Sequence, residues 1–122
     1  MRIFLDTNVL FSAAKSDGAV RRLLTLAIEA GHECWADGYV MEEARRNLVA
    51  KAPEGVPALS ALLTRVRLAA AQPHPAALEV TAAIAEKDRP VLGAAIRLEC
   101  DALVTGDRPH FGAFFGKALG GV

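Results

Sequence analysis

Four acids, Asp6, Glu43, Asp88 and Asp107, have the strongest claim to chemistry in this chain of 122 residues. Asp6 closes the apolar run Ile3-Phe4-Leu5, and Asp107 follows Leu103-Val104-Thr105-Gly106. Asp88 precedes Pro90-Val91-Leu92, and Glu43 sits in a charged segment with helical spacing. Singly, each has an ordinary role as a turn residue, a helix cap or a solvated helix side chain. Gathered on one rim they would need a cation, because two carboxylates about 4 Å apart repel by roughly 4 kcal/mol at an effective dielectric of 20. Mg²⁺ and Mn²⁺ are hard ions that prefer oxygen ligands, and Asn8 and Thr105 would add polar support beside the acids. Zinc is disfavoured, since His32, His74 and His110 show no paired spacing with cysteine or acid. A hydrated divalent ion activates water, neutralises phosphate and orients an in-line attack, so the implied reaction is phosphodiester hydrolysis.

The elements around these acids would bring them together. Ile3 to Leu5 reads as a buried strand that stops at the polar edge Asp6-Thr7-Asn8. Val20, Leu23, Leu24, Ala27 and Ile28 recur at helical spacing between Gly18 and Gly31, and His32 to Ala36 reads as a second strand. Asp37 is an N-cap for a helix through about Ala50. Pro53, Gly55 and Pro57 then break the chain before a helix over about 58–66 and a brief edge strand over 68–71. Helices over about 76–85 and 90–99 lead to a strand over 102–105. The pattern is α/β, with a parallel sheet covered by helices on both faces and a single domain over 1–122. Parallel strands with right-handed crossovers end at one edge, where the following helices begin, so all four acids map to that edge. Asp101 precedes its strand and falls at the opposite one.

Bulk properties narrow the function further. Hydrophobic residues make up 52% of the chain and charged ones 23%, which suits one core. The formal net charge is zero, so any contact with nucleic acid must be local rather than drawn by a bulk field. Lys87 and Arg89 flank Asp88, and Arg108 and His110 follow Asp107; these four are the candidate phosphate contacts. Cys34 and Cys100 fit buried thiols in a reducing cytoplasm, and Trp35 and Tyr39 fit packing rather than base stacking. Asp6 interrupts the first apolar run too early for a signal peptide, and no stretch approaches the roughly 20 apolar residues of a membrane span. The expectation is a soluble cytoplasmic protein.

Leu5-Asp6-Thr7-Asn8, a helical Glu43, Asp88 before Pro90-Val91-Leu92-Gly93-Ala94-Ala95, and Leu103-Val104-Thr105-Gly106-Asp107 together resemble the PIN-domain nucleases, which include the VapC-type toxins of toxin–antitoxin pairs. The resemblance implies a sheet in the order 3-2-1-4-5, Asp6, Glu43, Asp88 and Asp107 as Mg²⁺ or Mn²⁺ ligands, and Asn8 and Thr105 as supports. It implies an RNA substrate, and from family habit an antitoxin partner and a homodimer. Where the family usually continues into a last edge strand and tail, this chain stops at Gly120-Gly121-Val122, so that strand is expected to be cut short. Glu42 competes with Glu43. At 100° per residue, Glu43 lies closer to the apolar face of Val40, Met41, Ala44 and Leu48, and the family's small residue after the acid matches Ala44.

Two other functions compete. A non-catalytic PIN-like binding module would keep the fold and act by contacting a protein. An aspartate-based phosphatase would use Asp6 as a nucleophile, but Asp6-Thr7-Asn8 lacks a second Asp two residues on, and no lysine directly follows a late strand as a receiver-type site requires.

Overall fold

The apolar run at the N-terminus forms the central strand of a parallel sheet. The computed structural model describes residues 1–70 and 89–105. In chain order it contains β1 (Arg2–Leu5), α1 (Thr7–Lys15), α2 (Ala19–Glu29), β2 (Glu33–Asp37), α3 (Gly38–Lys51), a 3-10 turn (Pro53–Gly55), α4 (Val56–Leu63), β3 (Arg67–Ala69), α5 (Arg89–Arg97) and β4 (Ala102–Val104). The sheet order is β3-β2-β1-β4 with every pair parallel. This is the expected 3-2-1-4 arrangement; a fifth strand and the helix expected over 76–85 fall outside the described residues.

Phe4 and Leu5 are both fully buried. Neighbouring side chains on a strand point to opposite faces, so β1 is covered on both. Topology explains how. The steps from β1 to β2 and from β2 to β3 run one way across the sheet, and the step from β3 to β4 runs back. With right-handed crossovers, α1 to α4 lie on one face and α5 on the other.

The structure corrects the sequence reading at 7–15, where no helix was expected. Asp6 caps α1, its carboxylate accepting from the Thr7 N–H at 2.8 Å. Val9, Leu10, Ala13 and Ala14 give this helix a buried stripe that packs against α3 and α4. Its C-terminal carbonyls are held from α2: Arg21 Nε donates to the Ala13 carbonyl at 2.7 Å and Nη2 to that of Ala14 at 3.1 Å. Gly55 fits against the same end, where a Cβ would come within 3.0 Å of the Ala14 carbonyl oxygen and of Leu48. The helix expected over 58–66 begins earlier, at Val56, because Pro57 sits in its first turn, where a missing N–H goes unneeded.

Two helices end alike with different residues. After α2, Gly31 has φ of 92°, its N–H donates to Ile28, and the His32 N–H donates to Ala27. After α5, Glu99 takes the corresponding position with φ of 55°, its N–H donating to Ile96 and the Cys100 N–H to Ala95. A side chain in that left-handed conformation costs about 1–2 kcal/mol, which glycine avoids. Glu99 is exposed. Glu99→Gly is therefore expected to raise stability by about 1 kcal/mol, read as a higher denaturant midpoint at unchanged slope. A lower midpoint would contradict this helix end.

Candidate active site at the carboxyl edge of the sheet

Asp6 and Thr105 leave adjacent strands side by side. Leu5 pairs with Val104, and the Asp6 N–H extends the ladder by donating to the Val104 carbonyl at 3.0 Å. The next side chains meet directly: Thr105 Oγ1 donates to Asp6 Oδ2 at 2.6 Å. Asp6 Oδ1 is the cap of α1, and only 4% of the residue is exposed. Residues 99 positions apart in sequence are thus fixed on one carboxylate, by the strand reversal that places β4 beside β1.

Glu43 lies in α3, which starts from the neighbouring strand. Val40, Ala44 and Leu48 are buried, Glu43 is half-buried beside them, and Glu42 is exposed. That is the order the 100° spacing gives. α3 meets α5, whose first residue, Arg89, directly follows Asp88. Asn8 is in the first turn of α1 and exposed. Asp88, Asp107, Lys87, Arg108 and His110 lie outside the described residues, as does the side chain of Arg89. Among the described residues, no group of three or more His, Cys, Asp or Glu is placed to hold a metal.

The opposite edge behaves differently. Asp101 Oδ2 accepts from the Arg2 N–H at 2.7 Å, and its own N–H donates to the Arg2 carbonyl at 2.7 Å, so this acid serves the entry of β4. Trp35 packs against the core, with the Arg2 guanidinium 4.5 Å from its ring centroid and Nε1 donating to Glu33 at 3.1 Å. Tyr39 also packs on the core. Both cysteines are buried free thiols, and burial raises their pKa. No helix among the described residues is long and apolar enough to cross a membrane.

Two side chains at the rim carried more than the sequence disclosed. Asp37, legible as a helix cap, is 3% exposed, and burial pushes its carboxyl up despite the Val40 N–H, the Arg97 charge and the nearby backbone N–H groups of Asp37 and Tyr39. Thr7 is 3% exposed, and its hydroxyl has no hydrogen-bond partner among the described residues. Nothing in the spacing of residues signalled either.

The family model for the PIN domain matches residues 2–109. The chain belongs to the PIN-domain family. This is a family of nucleases, as the resemblance of its motifs implied. The fold of this PIN domain is similar to a chain in the crystal structure of VapBC2 from Rickettsia felis bound to a DNA fragment from their promoter. The TM-score is 0.68 at 15% identity, over 93% of this chain and 92% of that one. At that identity the likeness establishes the fold. A search of curated proteins finds no match.

The donors that this PIN domain presents suit a hard divalent cation. Among the described residues, the Asp6–Thr105 pair offers carboxylate and hydroxyl oxygen, the donor type such ions prefer.

Proposed function

We propose that this PIN domain is a Mg²⁺- or Mn²⁺-dependent endoribonuclease, with Asp6, Glu43, Asp88 and Asp107 as the metal-binding acids. The observation that carries the reading is the 2.6 Å hydrogen bond from Thr105 to Asp6, which joins the Leu5-Asp6-Thr7-Asn8 motif to the threonine that precedes Gly106-Asp107 in sequence. Thr105 orients the Asp6 carboxylate, and a held ligand loses less freedom on binding. In this reading Glu43 is contributed by α3, while in sequence Asp88 directly precedes Arg89 and Asp107 follows Thr105 by two residues. Asn8 is a polar support in the first turn of α1. A divalent ion in such a site supplies charge neutralisation of the scissile phosphate and an activated water. Lys87, Arg89 and Arg108 would supply local positive charge for neighbouring phosphates in a chain of zero net charge, with His110 as a further phosphate contact.

The likeness to VapBC2 supports an antitoxin protein as partner and with it a toxin role; a cytoplasmic location and a homodimer are proposed from the family resemblance alone. Purified chain is expected to cut mixed-sequence single-stranded RNA in the presence of Mn²⁺ or Mg²⁺, to spare DNA of the same sequence, and to do neither in EDTA. Cutting DNA preferentially would overturn the substrate assignment. Inducible expression is expected to arrest growth with loss of RNA integrity; unaffected growth with intact RNA would exclude the toxin role.

A further inference from the structure

Two buried acids, not one, stand level at the carboxyl edge of the sheet. Phe4 pairs with Trp35, so Asp6 and Asp37, each two residues further on, end β1 and β2 at equal height. They are 4% and 3% exposed, and each caps the helix that follows it. Asp37 has extended backbone, with φ of −116° and ψ of 176°, and its Oδ1 accepts from the Val40 N–H at 3.0 Å.

That bond fixes where α3 leaves the sheet. Val40, Ala44 and Leu48 set the rotation of α3 by burying one stripe, while where the helix begins is decided in its first turn. The cap supplies the axial stop. Glu43 lies six residues beyond it, roughly 9 Å along the helix, so a displaced helix start would carry Glu43 along the rim relative to Asp6.

We propose that Asp37 is a positioning residue for Glu43, setting through its cap on α3 the separation between Glu43 and the Asp6–Thr105 pair. This rests on the metal-binding reading of the rim. Residues behind metal ligands typically change affinity by tenfold or more when lost.

Calorimetric titration of the folded protein with Mn²⁺ tests it, alongside amide exchange over the first turn of α3. Asp37→Ala is expected to weaken Mn²⁺ binding about tenfold and to speed that exchange. Asp37→Ser, which keeps a capping oxygen, is expected to stay within about threefold of wild type. Should Asp37→Ala not fold, Asp37→Gly removes the same acceptor at a smaller cost to the helix. Faster exchange with unchanged Mn²⁺ affinity would overturn the proposal, leaving Asp37 a stabilising cap alone. Equal weakening by Ser and Ala would also overturn it, since the carboxylate would then act by its charge. Wild-type protein that binds no Mn²⁺ would contradict the metal reading itself, and the proposal with it; the wild-type arm tells the two failures apart.

Discussion

Millimolar Mn²⁺ is expected to raise the melting temperature of the wild-type chain on the order of 10 °C. An ion that binds only the folded state stabilises it by about 2.7 kcal/mol at a hundredfold excess over its dissociation constant, and a domain of this size gains about 4 °C for each kcal/mol. The effect should be large here because the proposed site gathers acids from separate parts of the chain, which the unfolded state does not hold together. Asp6→Asn combined with Asp107→Asn should abolish it. An Asn at position 6 can keep the cap of α1 through its carbonyl oxygen, and the Thr105 hydroxyl can turn to accept from its amide, so the fold should survive. Without metal, the double variant should melt no lower than wild type, because repulsion among the acids is relieved. Differential scanning calorimetry with and without Mn²⁺ reads all of these. A wild-type melting temperature that ignores Mn²⁺ would count against a shared metal site.

Phe4→Ala is expected to cost about 3–5 kcal/mol, a large fraction of the 5–15 kcal/mol that holds a typical domain together. Phe4 is fully buried in the central strand, pairing with Trp35 on one side and Leu103 on the other. Removing its ring leaves a cavity between β1 and whatever covers that face, and the strand ladders limit how far the walls can close. The consequence reaches the site, since Asp6 lies two residues further on, just past the end of β1. Urea denaturation should show the midpoint falling at an unchanged slope. A loss below about 1 kcal/mol would mean that β1 is not the packed centre of the sheet.

Much of this arrangement was readable from residue order. Ile3 to Leu5 and Ala102 to Thr105 stood out because a strand covered on both faces is a continuous apolar run rather than a polar alternation. Asp37 stood out because an acid ahead of a helical pattern has a backbone reason to be there. The α1 helix did not, although its cap was in view. Asp6-Thr7-Asn8 carries the same residue types as a turn, and a nine-residue helix owes its stability to packing on α3 and α4, which the local sequence does not display. For the site, strand order alone set Asp6 beside Thr105. The burial of Asp37 and of the Thr7 hydroxyl was hidden, because depth at a sheet edge depends on elements distant in the chain. Arg21 is a further case: it belongs to α2, yet its guanidinium closes the end of α1, a contact that residue spacing does not disclose.

The most direct test of the central claim is cleavage of single-stranded RNA by wild-type and Asp6→Asn proteins, purified identically and assayed in Mn²⁺ and in EDTA. The carboxylate site predicts cutting by wild type in Mn²⁺ alone, reduced at least a hundredfold in the variant. Cutting that persists in EDTA, or that Asp6→Asn retains in full, would contradict it.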